Sequence, residues 1–141
     1  MLSTLRIGNR TAHVITFNAG LSGNTVSNQW LNTQSSNANP VTTEAAGQTP
    51  SAVNFELWRL QGNFNTAGVR QATMTARING VSQASTATTV GTATTVITTD
   101  LTTSILINST DMLSVLFVTA IADSTATRPR CSLVGSLRGS L

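Results

Sequence analysis

The sequence predicts an all-β protein, an antiparallel β-sandwich assembled from many short strands. Three observations favour this fold class: apolar and polar residues alternate strictly over residues 71–79, turn-forming residues recur roughly every eight to twelve positions, and no apolar pattern of helical period lasts three turns. A period of two is expected of a strand with one buried face, because successive side chains leave opposite faces of the sheet. Short strands separated by turns at this spacing are typical of a sandwich or a barrel.

The clearest element is the alternating segment at residues 71–79, which ends in an Asn-Gly pair. One face of the predicted strand carries Ala72, Met74, Ala76 and Ile78, and the other carries Thr73, Thr75 and Arg77. Asn79 and Gly80 both tolerate positive φ, which a type I′ hairpin turn requires. The sequence therefore predicts a tight hairpin whose second strand begins at Val81.

The first fifty residues carry weaker strand signals, because they are rich in Asn, Ser, Gln and Thr and contain few apolar residues. Trp30 is the exception in this polar stretch. It is interpreted either as an anchor on the protein's own core or as part of a partner-binding surface. The predicted elements are strands at residues 3–7 and 11–17, long loops over residues 20–47, and short strands within them near residues 26–31 and 41–44.

Strand signals are stronger after residue 50. Residues 112–121 are apolar on both faces, so this strand is predicted to lie centrally in a sheet and to be available for sharing at a subunit interface. In the last strand, Cys131 alternates with Leu133 and is predicted to be a small buried side chain. The predicted strands cover residues 53–61, 71–79, 81–90, 93–99, 103–107, 112–121 and 130–137, with turns at 62–68, at 91 and at 108–111.

The composition favours one folded domain and argues against several classes of partner. The chain has 141 residues, of which 40% are hydrophobic and 9% are charged, and this length suffices for one core. The net charge of +3 comes from eight scattered Arg residues without the dense basic run of a phosphate-binding patch, so nucleic acid is not expected as a partner. Arg128 and Arg130, the closest pair, are interpreted as a turn or a subunit contact. No apolar run reaches transmembrane or signal-peptide length, so no membrane partner is expected and assembly is expected in a cytoplasm.

The titratable residues do not predict catalysis. General acid–base chemistry needs such groups in close pairs, whereas His13 is alone in a strand and the five acidic residues are separated in sequence. Asp111 is interpreted as a turn residue that bonds nearby backbone, with a calcium contribution as the alternative. No metal cluster, phosphate-binding glycine loop or nucleophile motif is present. We therefore expect no enzyme activity and no catalytic, cofactor-binding or metal site.

A succession of motifs between residues 51 and 137 resembles a known family. It comprises the strand NFELWRLQ, a strand ending in Arg77-Ile78-Asn79-Gly80-Val81, a Thr-rich middle, a turn ending in Asp111 before the long apolar strand, and a final Arg-rich turn into the last strand. This succession resembles the small jelly-roll virion proteins of tailed phages and large DNA viruses. It departs from their pattern at Thr110, where Gly is usual, and it does not extend to the first fifty residues.

The resemblance implies a jelly-roll fold similar to the trimeric heads of tumour necrosis factor and complement C1q. It also implies a structural role on a virion, as a capsid decoration or cement protein, a minor capsid protein or a fibre head. Residues 51–141 would then be the oligomerisation domain and residues 1–50 an attachment arm. The expected partners are further copies of the chain, with a homotrimer favoured, and other capsid or virion proteins.

Composition supports a structural role independently of the resemblance. The chain lacks Lys and is rich in Thr and Asn, whose short side chains lose little entropy on ordering and so suit surfaces that pack permanently. The alternative is a receptor- or glycan-binding head of a viral fibre or tail, in which Trp30 or Trp58 would stack on a sugar. A third interpretation, a cellular C1q-like adhesion head, is disfavoured because collagen repeats and a signal sequence are missing from the sequence.

Overall fold

A computed structural model describes residues 12–19, 29–33, 40–64, 71–91, 94–119 and 128–138. The predicted strand at residues 3–7, Asp123 and most of the predicted turn at 62–68 lie outside them. The strands are β1 (Ala12–Asn18), β2 (Gln29–Leu31), β3 (Thr49–Pro50), β4 (Phe55–Phe64), β5 (Ala72–Ile78), β6 (Val81–Ser82), β7 (Thr88–Val90), β8 (Ile97–Ile107), β9 (Met112–Thr119) and β10 (Pro129–Leu137). One helical turn, α1 (Glu44–Gly47), and one 3₁₀ turn (Ala84–Thr86) complete the described elements.

The strands form two antiparallel sheets, which confirms the all-β prediction. The four-stranded sheet has the order β1-β10-β4-β8. The six-stranded sheet is built around β9 and β5, with β2 and β3 pairing along one side of β9 and β6 and β7 pairing along the far side of β5. β9 is therefore central, as its apolar sequence predicts.

The two sheets pack face to face through one hydrophobic core. Phe64 of the four-stranded sheet meets Phe117 of the six-stranded sheet edge to face, with ring centroids 6.2 Å apart, an arrangement that aromatic pairs prefer. Cys131 is buried in this core, and burial raises the pKa of its thiol. The largest fully buried side chains are Phe17, Leu31, Phe55, Leu57, Leu60, Phe64, Met74, Ile107, Leu113, Phe117 and Leu133.

The predicted hairpin is present and is fastened to a second turn. Asn79 and Gly80 have φ values of 50° and 80°, as a type I′ turn requires, and Ile78 pairs with Val81. The Asn79 side chain donates to the Asp111 carboxylate at 2.8 Å and accepts the Met112 N–H at 2.9 Å. Asp111 also accepts the Asn108 N–H at 2.8 Å, which confirms its predicted role in a turn.

Three sequence boundaries are corrected by tertiary contacts. Gly62 was predicted to start a turn, but it lies within β4. This strand position holds glycine because a Cβ there would meet Met74 Sδ at 2.8 Å and Val90 Cγ1 at 3.0 Å. Residues 93–107 were predicted as two strands, 93–99 and 103–107; β8 is one strand, but its pairing with β4 is interrupted between Asp100 and Ile105, close to the predicted break. Residues 41–44 were predicted as a strand, but only Val41 forms a bridge, to Trp30, before α1 begins.

The predicted continuous strand at residues 81–90 is interrupted by the 3₁₀ turn. The Thr86 hydroxyl accepts the Ala76 N–H at 2.9 Å and donates to the Gln83 carbonyl at 2.7 Å. A side-chain hydroxyl thus takes the place of a backbone partner opposite β5. Such local bonds compete with regular strand pairing, which explains the break.

The described parts of the first fifty residues belong to the sandwich. β1 pairs with β10 over its whole length, and β2 and β3 pair with β9. Phe17 and Leu31 are completely buried in the common core. Deleting residues 1–50 would therefore remove three of the described strands, and an attachment role for this segment stays a prediction.

Candidate assembly surface

A β-bulge in β4 places two consecutive side chains on the outer face of the four-stranded sheet. Leu57 pairs with Gly135 and Arg59 with Val134, so Trp58 is an extra residue opposite β10. Because a bulge places two consecutive residues against one, Trp58 and Arg59 both lie on the outer face. Leu57 and Leu60 on either side of them remain completely buried.

The part of this outer face that surrounds the bulge is rich in apolar side chains, and we call it the apolar half. We define the apolar half as Ala12 and Val14 of β1, Val134 of β10, Trp58 of β4 and Leu106 of β8. Strand pairing places Val14 beside Val134 and Val134 beside Arg59. Val14 and Leu106 at the two ends are each 53% exposed. Glu56, which pairs with Leu106 and Ser136, lies on the same face, so this half presents aliphatic and aromatic surface beside the Glu56 carboxylate and the Arg59–Asp100 ion pair.

Polar contacts orient the bulge side chains. Trp58 Nε1 donates to Ser136 Oγ at 3.1 Å, and Arg59 Nε donates to Asp100 Oδ1 at 2.5 Å. The Arg59 guanidinium also lies 4.9 Å from the centre of the Trp58 ring. An exposed ion pair contributes little stability, so its main effect is to position Arg59 over the indole.

The other end of the same face is its polar half. Thr16, Ser132, Gln61 and Thr98 form a row across all four strands. Thr16 and Ser132 are joined at 3.2 Å, and Gln61 Nε2 donates to Thr98 Oγ1 at 3.3 Å. The next row contains Arg130 and Asn63. Short, uncharged side chains dominate this half.

The outer face of the six-stranded sheet is covered at one end by α1. Arg77 of β5 donates to both carboxylate oxygens of Glu44 at 2.7 and 3.1 Å, and Ser114 Oγ of β9 donates to the same carboxylate at 2.7 Å. Arg77 also binds Ser82 and the Gly80 carbonyl across the hairpin. This network, the Glu44 clamp, connects the N-terminal segment to two strands and a turn. Hydrogen bonding to Arg77 holds the pKa of Glu44 below its ordinary value.

The Glu44 clamp predicts a specific pH dependence of stability. A carboxyl group whose folded-state pKa is lowered stabilises the fold above its unfolded pKa, and loses that contribution as pH falls through the folded pKa. We expect Glu44→Gln to lower the free energy of unfolding by about 1 kcal/mol at pH 7. The deficit should shrink as the pH falls below the ordinary carboxyl value of 4.5. Urea unfolding of both proteins between pH 7 and pH 3 measures this, and a deficit that is constant across the range would contradict it.

Among the described residues, His13, Glu44, Asp100 and Asp111 are not brought together. His13 packs its ring against Phe55, with centroids 4.9 Å apart, while Glu44, Asp100 and Asp111 occupy separate networks. Among the described residues, no group of three or more His, Cys, Asp or Glu side chains is placed to hold a metal ion. The described part of the chain also has no helix that is long and apolar enough to cross a membrane.

The two tryptophans lie on opposite outer faces. Trp30 pairs with Leu116 beside a fully buried Leu31, so alternation puts its half-buried ring on the outer face of the six-stranded sheet. Trp58 lies under the Arg59 guanidinium. The shared outward placement of Trp58 and Arg59 was missed in the sequence, because strict alternation assigns consecutive residues to opposite faces. No protein-family model matches the chain, and no curated protein matches its sequence.

Proposed function

We propose that this chain is a jelly-roll structural protein of a virus particle, a non-catalytic capsid decoration, cement or minor capsid component that forms homotrimers. The observation that carries the proposal is the order of strands in the two sheets. A jelly roll is a sandwich of eight strands arranged as two Greek keys, and it recurs in viral capsid domains. The family resemblance supports the virion location.

The strand order agrees with a jelly roll once short strands are grouped. β2 and β3 share one position beside β9, and β6 and β7 share one beside β5. In the resulting series of eight positions, the first pairs with the last, the second with the seventh, the third with the sixth and the fourth with the fifth. This nesting is what results when one long hairpin folds over two facing sheets, and it supports the finer fold assignment.

The surface chemistry supports permanent packing against neighbours. Charged residues make up about 25% of a typical soluble domain, but only 9% of this chain. In the described ranges, the exposed charged residues are Asp100, Arg128, Arg130 and Arg138, among many exposed Thr, Ser and Ala residues. Short side chains lose little entropy when they are immobilised at an interface. A sparsely charged surface of this kind suits an assembly component.

The apolar half is the surface we assign to contact between copies. Trp and Arg are enriched among residues that dominate binding energy, especially at the centre of an interface. Trp58 and Arg59 lie between exposed Val14 on one side and exposed Leu106 on the other. A second copy seated there would cover all of these side chains at once.

The assembly proposal is tested by mass and by one charged substitution. Light scattering behind size exclusion should give three times the 14.7 kDa chain mass. Leu106→Asp should shift this mass to that of a monomer, because a carboxylate would be buried without a partner. Val81→Asp is the matched control, since Val81 is 63% exposed but lies on the six-stranded sheet. A monomeric unmodified chain would overturn the homotrimer, and a trimer in both variants would overturn the assigned face.

The virion location needs a separate experiment. Antibodies raised against the purified chain should label the surface of intact virus particles by immunogold electron microscopy. Labelling that is confined to disrupted cells, with clean particles, would refute a virion role while leaving the oligomeric state unaffected. The two experiments thus separate assembly from location.

A further inference from the structure

A depression of about 290 Å³ opens in the polar half of the four-stranded sheet. It is lined by residues of β1, β4 and β10 and by the segment just before β8. The lining side chains include Thr16, Gln61, Asn63, Val96, Arg130 and Ser132. The depression is separate from the apolar half, so a ligand there would not compete with the proposed contact between copies.

Arg130 supplies the one charged side chain in the described lining of this depression. Arg130 is exposed and forms no ion pair within the described ranges, whereas the other arginines on outer faces, Arg59 and Arg77, are each paired with a carboxylate. None of the described residues that line the depression is acidic. A guanidinium is a planar fork of donors that binds a carboxylate through two parallel hydrogen bonds. Arg130 is therefore suited to an anionic group.

The remaining lining is neutral and rich in hydrogen-bonding groups. Gln61 and Asn63 donate amide N–H groups to Thr98 Oγ1 and the Thr94 carbonyl, both at 3.3 Å, which orients the two amides. The Thr16 and Ser132 hydroxyls lie on the neighbouring strands and can each donate or accept. Ligand sites typically combine a few such polar groups with apolar walls, and here Val96, 53% exposed, supplies the apolar wall.

We propose that this depression binds an acidic sugar, a pyranose that carries a carboxylate. The carboxylate accepts from the Arg130 guanidinium, the ring hydroxyls exchange hydrogen bonds with the amides and hydroxyls, and the C–H face of the ring contacts Val96. Sugars expose alternating hydroxyls and C–H groups, which match this lining. Sugar binding here does not depend on either tryptophan, and the inference goes beyond the proposed structural role.

Titration of the intact protein with a glucuronic-acid-containing oligosaccharide tests the site by NMR chemical-shift perturbation or calorimetry. Arg130→Gln should weaken this binding about tenfold or more, since hydrogen bonds to charged groups are the stronger ones. Arg138→Gln, which removes the same charge from an exposed arginine outside the depression, should bind like the unmodified protein. Both variants should keep the solution mass of the unmodified chain.

Comparison probes define the outcomes. A neutral glucose oligosaccharide of the same length should bind much more weakly, and a sulfated oligosaccharide should not bind more tightly than the uronic acid. Equal losses in Arg130→Gln and Arg138→Gln would indicate diffuse charge attraction and overturn the site. Preference for the sulfated probe, or no binding of any probe, would overturn the assignment to carboxylate sugars.

Discussion

Gly135→Ala is expected to lower the free energy of unfolding by about 3 kcal/mol, near the upper end for overpacking, and Tm by about 10 °C. A Cβ at position 135 would lie 2.3 Å from the Glu56 carbonyl oxygen and 2.6 Å from Phe55 Cδ2. The nearest of these atoms belongs to the backbone of β4, which a rotamer change cannot move. The substitution must therefore displace β4 relative to β10 beside the Trp58 bulge. Urea and thermal unfolding at one fixed protein concentration measure the loss.

Gly91→Ala is the matched control for this prediction. A Cβ at Gly91 meets nothing within 4 Å, and the added methyl restricts the unfolded chain, so the variant should be unchanged or up to about 1 kcal/mol more stable. If Gly135→Ala were as stable as Gly91→Ala, the close approach of β10 to β4 would be refuted.

Asn79→Ala is expected to cost about 2 kcal/mol or more, through two separate effects. Alanine at a φ of 50° pays the penalty of the left-handed region. It also loses the side-chain bonds to Asp111 and to the Met112 N–H, each contributing about 1 kcal/mol. Chemical unfolding at fixed protein concentration measures the total.

Asn79→Gly separates the two effects, because glycine tolerates the turn geometry but cannot bind Asp111. We expect Asn79→Gly to fall between the unmodified protein and Asn79→Ala. Equal stability of the glycine variant and the unmodified protein would show that the bonds between the two turns contribute nothing measurable. Asp111→Asn should lose part of the same interaction, since it weakens the acceptor on the partner turn.

Local pattern was sufficient to predict the strands in which one face meets the core. β5 alternates buried and partly exposed residues from Ala72 to Arg77, and its turn residues have the backbone angles that Asn-Gly favours. The centre of the six-stranded sheet also followed from sequence, because β9 is apolar on both faces. These predictions needed no knowledge of other strands.

Elements that depend on a distant partner were not predictable in this way. Gly62 resembles a turn residue until Met74 and Val90 are seen packed over it. The Trp58 bulge is likewise defined by its pairing with Val134 and Gly135. In each case the deciding contact comes from a strand far away in sequence.

The candidate surfaces were likewise predictable only in part from the sequence. Low charge and the abundance of Thr and Asn were visible in the composition, but the division of one sheet face into an apolar and a polar half was not. Arg130 stood out in sequence only as the neighbour of Pro129 and Arg128. Its position beside Thr16 and Asn63 requires β1, β10 and β4 to be adjacent, which only the sheet order provides.

The pairing of the first described strand with the last means that folding cannot be completed before β10 has been synthesised. Thr16 and Ser132 are hydrogen-bonded although they are 116 residues apart. Contacts between residues so distant in sequence slow folding, because the chain loses the entropy of loop closure before the contacts stabilise it. Until β10 has left the ribosome, β1 and β4 both lack their shared neighbour and the core lacks Leu133. A prematurely terminated chain thus cannot form either half of the outer face. The topology itself would thus exclude chains that are truncated before β10 from the proposed assembly.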